Sequence, residues 1–279
     1  MALGFQLWLP TTHVAEADYQ AVAQVLSSEK QPGDVVLLAP WWTERARIYV
    51  PDDLPVVGYL DSDRDPLERH PRIWVLSEPH LPRAGIGAFE DVFLPQRTEV
   101  GSARSFGNLK LQLFTNGKFR PTVMEAADSL ATAQVYLEGP DGQRQPCTWD
   151  GRGHRCGNGK TVAKEWHDVH FAPYQCVRMD GPGGNAKQVV EFVSPGAGNV
   201  SLSAGFPWEY GPRIDTPVPV VLDIDGHASQ LTLEPRNELM HRLEGGAVQA
   251  GSHIRISVQS DKPNDRVVCV VLRVAGGAP

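Results

Sequence analysis

The chain has 279 residues, 26 basic against 33 acidic side chains for a formal charge of −7, and a 41% hydrophobic composition. This is a globular composition whose mild acidity offers no electrostatic footprint for phosphate backbones or anionic lipid, so no nucleic-acid partner is expected. Apolar runs such as 35–40 and 267–272 fall far short of the roughly 18 to 20 residues that cross a bilayer, so no membrane insertion by this chain is expected.

The first stretch mixes element types. Residues 15–28 repeat apolar side chains at Val14, Ala17, Tyr19, Ala21, Val22, Val25 and Leu26, close to the 3.6-residue period of an amphipathic helix. Gln31-Pro32-Gly33 then supplies a turn, and residues 34–39 (DVVLLA) form a β-branched run without alternation, as a strand covered on both faces would. Further short runs at 56–60, 73–76 and 92–94 read as strands, and the polar segments 43–49 and 65–69 as helical. LKLQLF at 109–114 alternates strictly and predicts the last strand of a small α/β unit. Residues 1–115 carry 10 basic and 15 acidic side chains and the remainder 16 and 18, so neither half is extreme.

Beyond Thr115 helical periodicity gives way to strands and turns. Candidate strands lie at 132–137, 175–179, 188–193, 200–204, 219–224, 230–233, 254–258 and 267–274. They are separated by Gly-Pro-Asp-Gly at 139–142, Gly-Pro-Gly-Gly at 181–184, Pro-Gly-Ala-Gly at 195–198 and Asp-Gly at 225–226. One short helix is predicted over 237–243. The expected fold class is α/β plus all-β: a small, mainly parallel α/β domain over 1–115, then an antiparallel, jelly-roll-like β-sandwich over 116–279.

All four cysteines, Cys147, Cys156, Cys176 and Cys269, lie in the β half. The even count predicts disulfides Cys147–Cys156, closing a short loop, and Cys176–Cys269, tying a middle strand to the last one. Free thiols in a cytosolic protein are the competing reading, because Met1-Ala-Leu-Gly lacks the basic start of a signal peptide. A chain that is a fragment of a membrane protein would need no signal of its own. A zinc site around Cys147, His154 and Cys156 lacks the C-x2-C pair such sites use, so no metal is expected.

Several motifs are near misses. Residues 153–161 resemble a phosphate-binding loop, but His154 stands where the pattern needs glycine and a polar loop precedes it. Within 165–170 (EWHDVH), His167 and His170 would point to opposite faces of a strand, which favours a solvated loop over a metal pair. Asp61-Ser-Asp-Arg-Asp65 opens like a calcium loop but has Pro66 and Arg72 where glycine and glutamate belong. Ala39-Pro-Trp-Trp-Thr-Glu44 replaces the glycine-rich turn of a dinucleotide site, leaving Trp41 and Trp42 as packing residues, the favoured reading, or as an exposed contact surface. No G-x-S-x-G elbow occurs. No cofactor is expected. Among carboxylates, Glu165, Asp168, Glu191 and Glu209 are the candidates for a glycosidase-type pair.

Four segments organise these facts: 19–26 (YQAVAQVL), 32–38 (PGDVVLL), 72–76 (RIWVL) and 106–114 (FGNLKLQLF). Together they resemble the extracytoplasmic C-terminal region of bacterial GT-C class membrane glycosyltransferases, relatives of the protein O-mannosyltransferases and lipid A aminoarabinose transferases. The family's catalytic carboxylate sits in a loop between membrane spans, so no catalytic residue carries over. The resemblance implies a non-catalytic accessory region in the periplasm or at the cell surface, with a membrane-embedded glycosyltransferase portion as partner. The β half is similar in architecture to galactose-binding jelly-roll modules. A glycan or glycolipid ligand is therefore expected on Trp149, Trp166, Tyr174, Trp208, Glu209 and Tyr210, aromatic rings and a carboxylate in turn-rich segments. The competing uses are aromatic plugs for the open ends of a sandwich, or a glycoside hydrolase or lyase site on it.

Overall fold

The computed structural model describes residues 14–40, 43–58, 67–79, 94–95, 97–157, 159–169, 172–237, 239–261 and 266–277. The chain divides into two compact units, the first ending at Arg120 and the second spanning Pro121–Gly277.

In the first unit the predicted amphipathic segment forms helix α1, Glu16–Glu29, which buries Tyr19, Val22 and Leu26. Strand β1 (Val35–Ala39) follows the Pro32-Gly33 turn, where Gly33 takes a φ of 87° that disfavours other residues. Strands β2 (Val56–Val57) and β3 (Arg72–Ser77) pair with β1 in parallel. Strand β4 (Arg97–Phe106) and β5 (Leu109–Asn116) form a hairpin, and β5 pairs antiparallel with β3. The sheet order is β2-β1-β3-β5-β4. All five residues of β1 are buried: Val36 and Leu38 pack under α1 with Trp74 and Leu111, and Val35, Leu37 and Ala39 pack on the other side with Leu67, Ile73 and Phe114.

This corrects the expected fold class. The sheet is mixed, and the described residues are nearly all β, 51% strand and 13% helix, with no substantial parallel α/β domain among them. The cause lies at Gly107-Asn108, since a two-residue link can join only antiparallel strands. Gly107 has a φ of 55°, and a Cβ there would collide with the Asp18 carboxylate on α1. The expected helix over 43–49 is a 3-10 segment, Glu44–Ile48, and 67–69 is a turn. Trp41, Trp42, the Asp61–Asp65 segment and the run at 92–93 lie outside the described residues.

A buried polar knot closes this unit. Asp34, 2% exposed, accepts hydrogen bonds on Oδ2 from the Gln31 amide at 3.0 Å and from Trp74 Nε1 at 2.9 Å. Its Oδ1 lies 3.1 Å from Arg72 Nε. The Arg72 and Arg104 guanidinium groups each sit 5.7 Å from the Trp74 ring centroid, and Arg104 binds both Glu29 oxygens at 2.6 and 2.7 Å. Asp34→Ala is expected to destabilise the unit by about 2 to 4 kcal/mol, because it strips partners from a buried donor and a half-buried cation at once. Urea unfolding followed by tryptophan fluorescence measures this, and a loss below about 0.5 kcal/mol, as for an ordinary surface substitution, would contradict it.

In the second unit, β6 (Thr122–Glu125) precedes a short helical turn at Ala126–Ser129. Then come β7 (Gln134–Glu138), β8 (Arg144–Pro146), β9 (Thr148–Trp149), β10 (Gly153–Arg155), β11 (Thr161–Val169) and β12 (Ala172–Asp180). The chain continues through β13 (Lys187–Val193), β14 (Gly198–Gly205), β15 (Val218–Ile224), β16 (His227–Leu233), β17 (His241–Val248), β18 (His253–Gln259) and β19 (Val267–Ala275). Two sheets result: β17-β14-β19-β12-β11-β10-β9, with β6 also on β19, and β16-β15-β18-β13-β7-β8. All of their pairings are antiparallel. Met179, Val190, Leu202, Phe206, Val220, Ile256 and Val270 are among the residues that fill one core between them.

The expected helix over 237–243 does not form, and β17 occupies its second half. Apolar residues at 239, 240 and 243 mimic a helical stripe, but Gly245 and Gly246 follow at once and β14 offers an unpaired edge. Disulfides join Cys147 to Cys156 and Cys176 to Cys269, with Cα separations of 4.3 and 5.4 Å. The second lies on the outer face of its sheet with Val169, Val271, Tyr174 and Met240, and spans 93 residues. Replacing both Cys176 and Cys269 by Ala is expected to cost about 4 to 5 kcal/mol on the loop-closure account. Denaturant melts of the oxidised double variant against wild type read the loss directly, and an unchanged midpoint would refute it.

Candidate functional site

The outer face of the sheet containing β11 and β12 carries a polar cluster around His167. Alternation along β12 turns Val177 and Met179 into the core and leaves Tyr174, Cys176, Arg178 and Asp180 on the other face. The β11–β12 register sets His167 opposite Tyr174, Glu165 opposite Cys176 and Ala163 opposite Arg178, so Glu165 and His167 share that face. His167 is 8% exposed. Its Nε2 lies 3.1 Å from Glu165 Oε2, and its Nδ1 lies 3.1 Å from Glu209 Oε1 in the segment after β14. Arg178 donates to the same Glu165 oxygen at 3.4 Å and to Asp180 Oδ1 at 3.1 Å.

The Glu209 segment is anchored on both sides. Phe206 and Ile214 are buried, the Trp208 amide donates to the Asp168 carbonyl at 2.9 Å, and the Tyr210 and Gly211 amides both bond Pro207 O at 2.9 Å. Trp208 itself is 62% exposed, so the anchored loop presents an open aromatic surface beside a carboxylate in contact with His167. Tyr210 is half-buried and interacts electrostatically with Arg178.

Of the sequence-predicted ligand residues, Tyr174, Trp208, Glu209 and Tyr210 thus belong to one region. Trp166, 66% exposed, alternates onto the opposite face of β11 from His167. Trp149 lies apart on β9, its ring 5.0 Å from that of His154. The carboxylates separate similarly: Glu165 and Glu209 flank His167, Asp168 alternates to the other face, and Glu191 lies on β13 in the second sheet. His167 is not in a solvated loop as expected but in β11, and His170 lies outside the described residues. The phosphate-loop look-alike runs from strand β10 into strand β11, so it opens no helix to receive a phosphate. Among the described residues no cluster of His, Cys, Asp and Glu is arranged to hold a metal ion.

Glu191 takes part in a second network on the outer face of the other sheet. The Tyr136 hydroxyl donates to Glu191 Oε1 at 2.5 Å, Arg255 donates to Glu138 at 2.6 Å, and the Arg144 guanidinium lies 4.7 Å from the Tyr136 ring centroid. Burial, followed by the bond to Glu191, pushes the Tyr136 hydroxyl up to about 12. In the first unit burial and the neighbouring Glu78, whose Oε1 lies 3.2 Å from the Tyr19 hydroxyl, likewise push Tyr19 up to about 12. Both folded-state values exceed that of the unfolded chain, so the stabilisation they bring is complete below about pH 10 and lost as pH rises towards 12. Absorbance titration at alkaline pH should show Tyr19 and Tyr136 ionising about two pH units late, the second of these steps removed by Tyr136→Phe. Six coincident ionisations in the folded protein would contradict this.

No family model matches the chain, and no curated protein does. Solved structures similar to it include the CBM51-2 and INT domains of Clostridium perfringens ZmpB in complex with GlcNAc, at 13% identity over 51% of this chain and 25% of that one, with a TM-score of 0.29. CBM51 from Clostridium perfringens GH95, in complex with methyl-galactose, is 9% identical over 50% of this chain and 85% of its own, with a TM-score of 0.28. The catalytic domain of a GH87 alpha-1,3-glucanase in complex with nigerose is 16% identical over 37% of this chain and 22% of its own, with a TM-score of 0.24. The match spans about a quarter of the length of the first of these.

Proposed function

We propose that this chain is a non-catalytic, extracytoplasmic region that binds carbohydrate through the β-sandwich, with Trp208, Glu209, Tyr210 and Tyr174 as the contact surface. The observation that carries this reading is an exposed indole on an anchored loop, next to a carboxylate whose direction a buried histidine fixes. A flat exposed ring covers the apolar face of a pyranose, and an oriented carboxylate accepts its hydroxyl hydrogen bonds. Binding is favoured over hydrolysis because Glu165 and Glu209 both engage His167, and Glu165 also Arg178, which makes them fixed acceptors rather than a proton-donating pair.

Two disulfides support an oxidising compartment, and no helix among the described residues is long and apolar enough to cross a membrane. Association with a membrane-embedded GT-C type glycosyltransferase rests on the resemblance of residues 19–26, 32–38, 72–76 and 106–114. Membrane spans encoded upstream of Met1 in the same reading frame are the result that association expects.

Glycan-array screening of the full chain, followed by titration calorimetry with the best ligand, tests the binding reading. Trp208→Ala should weaken affinity about tenfold or more, whereas Trp166→Ala, on the opposite face, should leave it within about twofold. Equal losses from both variants, or no binding to any bacterial polysaccharide, would overturn it.

A further inference from the structure

A carboxylate has no proton to donate, and a neutral imidazole carries one N–H. Both 3.1 Å contacts of His167, to Glu165 and to Glu209, are therefore hydrogen bonds only when the ring holds two protons. Loss of one proton sets a nitrogen lone pair against a carboxylate oxygen, and one contact must yield. Glu165 keeps Arg178, itself paired with Asp180, whereas the Glu209 side chain has His167 as its hydrogen-bond partner among the described residues. Glu209 is the group released. Tyr174 faces His167 across the β11–β12 ladder, and Tyr210 approaches Arg178 from the same loop as Glu209. Neither is a cation, so neither replaces the missing bridge.

We propose that His167 is the positioning residue of the Trp208–Tyr210 loop: a doubly protonated imidazole bridges β11 to the loop through Glu165 and Glu209, and its deprotonation frees the loop's carboxylate. The inference deepens the glycan-binding reading by making affinity at that surface dependent on pH, although the bridge itself can be tested without any ligand. The same Glu209 that would accept sugar hydroxyl groups is aimed only while the bridge stands.

The test uses the full chain labelled with 15N-histidine, its His167 ring signals assigned by their loss in His167→Gln. As the pH is raised, His167 should pass from two ring protons to one. The Trp208 indole N–H signal, assigned with Trp208→Phe, should shift with the same midpoint in wild type and not in His167→Gln. Should that variant fold poorly, Glu209→Gln, on the exposed loop, should remove the coupling as well. Affinity for the best array ligand should fall about tenfold across the midpoint in wild type, the scale of a charge-assisted hydrogen bond, and stay flat with pH in His167→Gln. A ring carrying one proton throughout, or a Trp208 signal that ignores the titration, overturns the proposal. If the coupling is present but no glycan binds at any pH, the glycan reading fails and the bridge survives.

Discussion

Strand β12 lies between β11 and β19 in its sheet, and the two-residue alternation of its side chains governs both the stability and the chemistry of the second unit. One side sends Val177 and Met179, both fully buried, into the core with Val268 and Val270 of β19. The other side sends out Cys176, bonded to Cys269, and then Arg178 and Asp180. A slip of one residue would exchange those faces, putting an arginine and an aspartate into the core. The register is therefore strongly specified, and the disulfide between adjacent strands fixes it covalently. Because the register is fixed, His167 falls opposite Tyr174 with its two carboxylates in reach, and the site inherits its geometry from the core on the reverse side of the same strands.

The first unit solves a related problem with polar groups. Asp34 is buried at the start of a fully buried strand, an arrangement that is costly unless the carboxylate is paired and hydrogen-bonded. The Gln31 amide, the Trp74 indole and Arg72 meet that requirement together, joining the Pro-Gly-Asp turn, the head of β1 and the head of β3. Arg104 adds a clamp between β4 and the end of α1 through Glu29, which the guanidinium holds below the usual carboxylate range by their direct hydrogen bonds. The sheet can be mixed because its cohesion comes from this knot and the two flanking apolar layers rather than from repeated crossover helices.

Much of this was legible in the residues. The eight strands expected in the second half all form, because each had β-branched runs between turn-forming glycines and prolines, and helix α1 followed its apolar period closely. Two of the strands not expected from the sequence have a common physical reason: β11 (TVAKEWHDV) extends past the core, so Trp166 and Asp168 are exposed where alternation would want apolar residues. Similarly, β4 is almost wholly solvated and reads as polar coil, although Gly107-Asn108 between it and β5 was a usable hairpin signal. Of the site, Tyr174, Trp208, Glu209 and Tyr210 were legible as aromatic and acidic residues beside turns. His167 was not, since its partner Glu209 lies 42 residues away and only the folded sheet brings them together.

In the proposed function, ligand recognition belongs to the outer face of β11 and β12 with the 206–211 loop. Hydrogen–deuterium exchange of the full chain, with and without a saturating glycan identified on the array, tests it most directly. The account predicts new protection confined to peptides covering 163–169, 174–180 and 206–211. Protection appearing instead on the Tyr136–Glu191–Arg255 face, around Trp149, or in the first unit would contradict it.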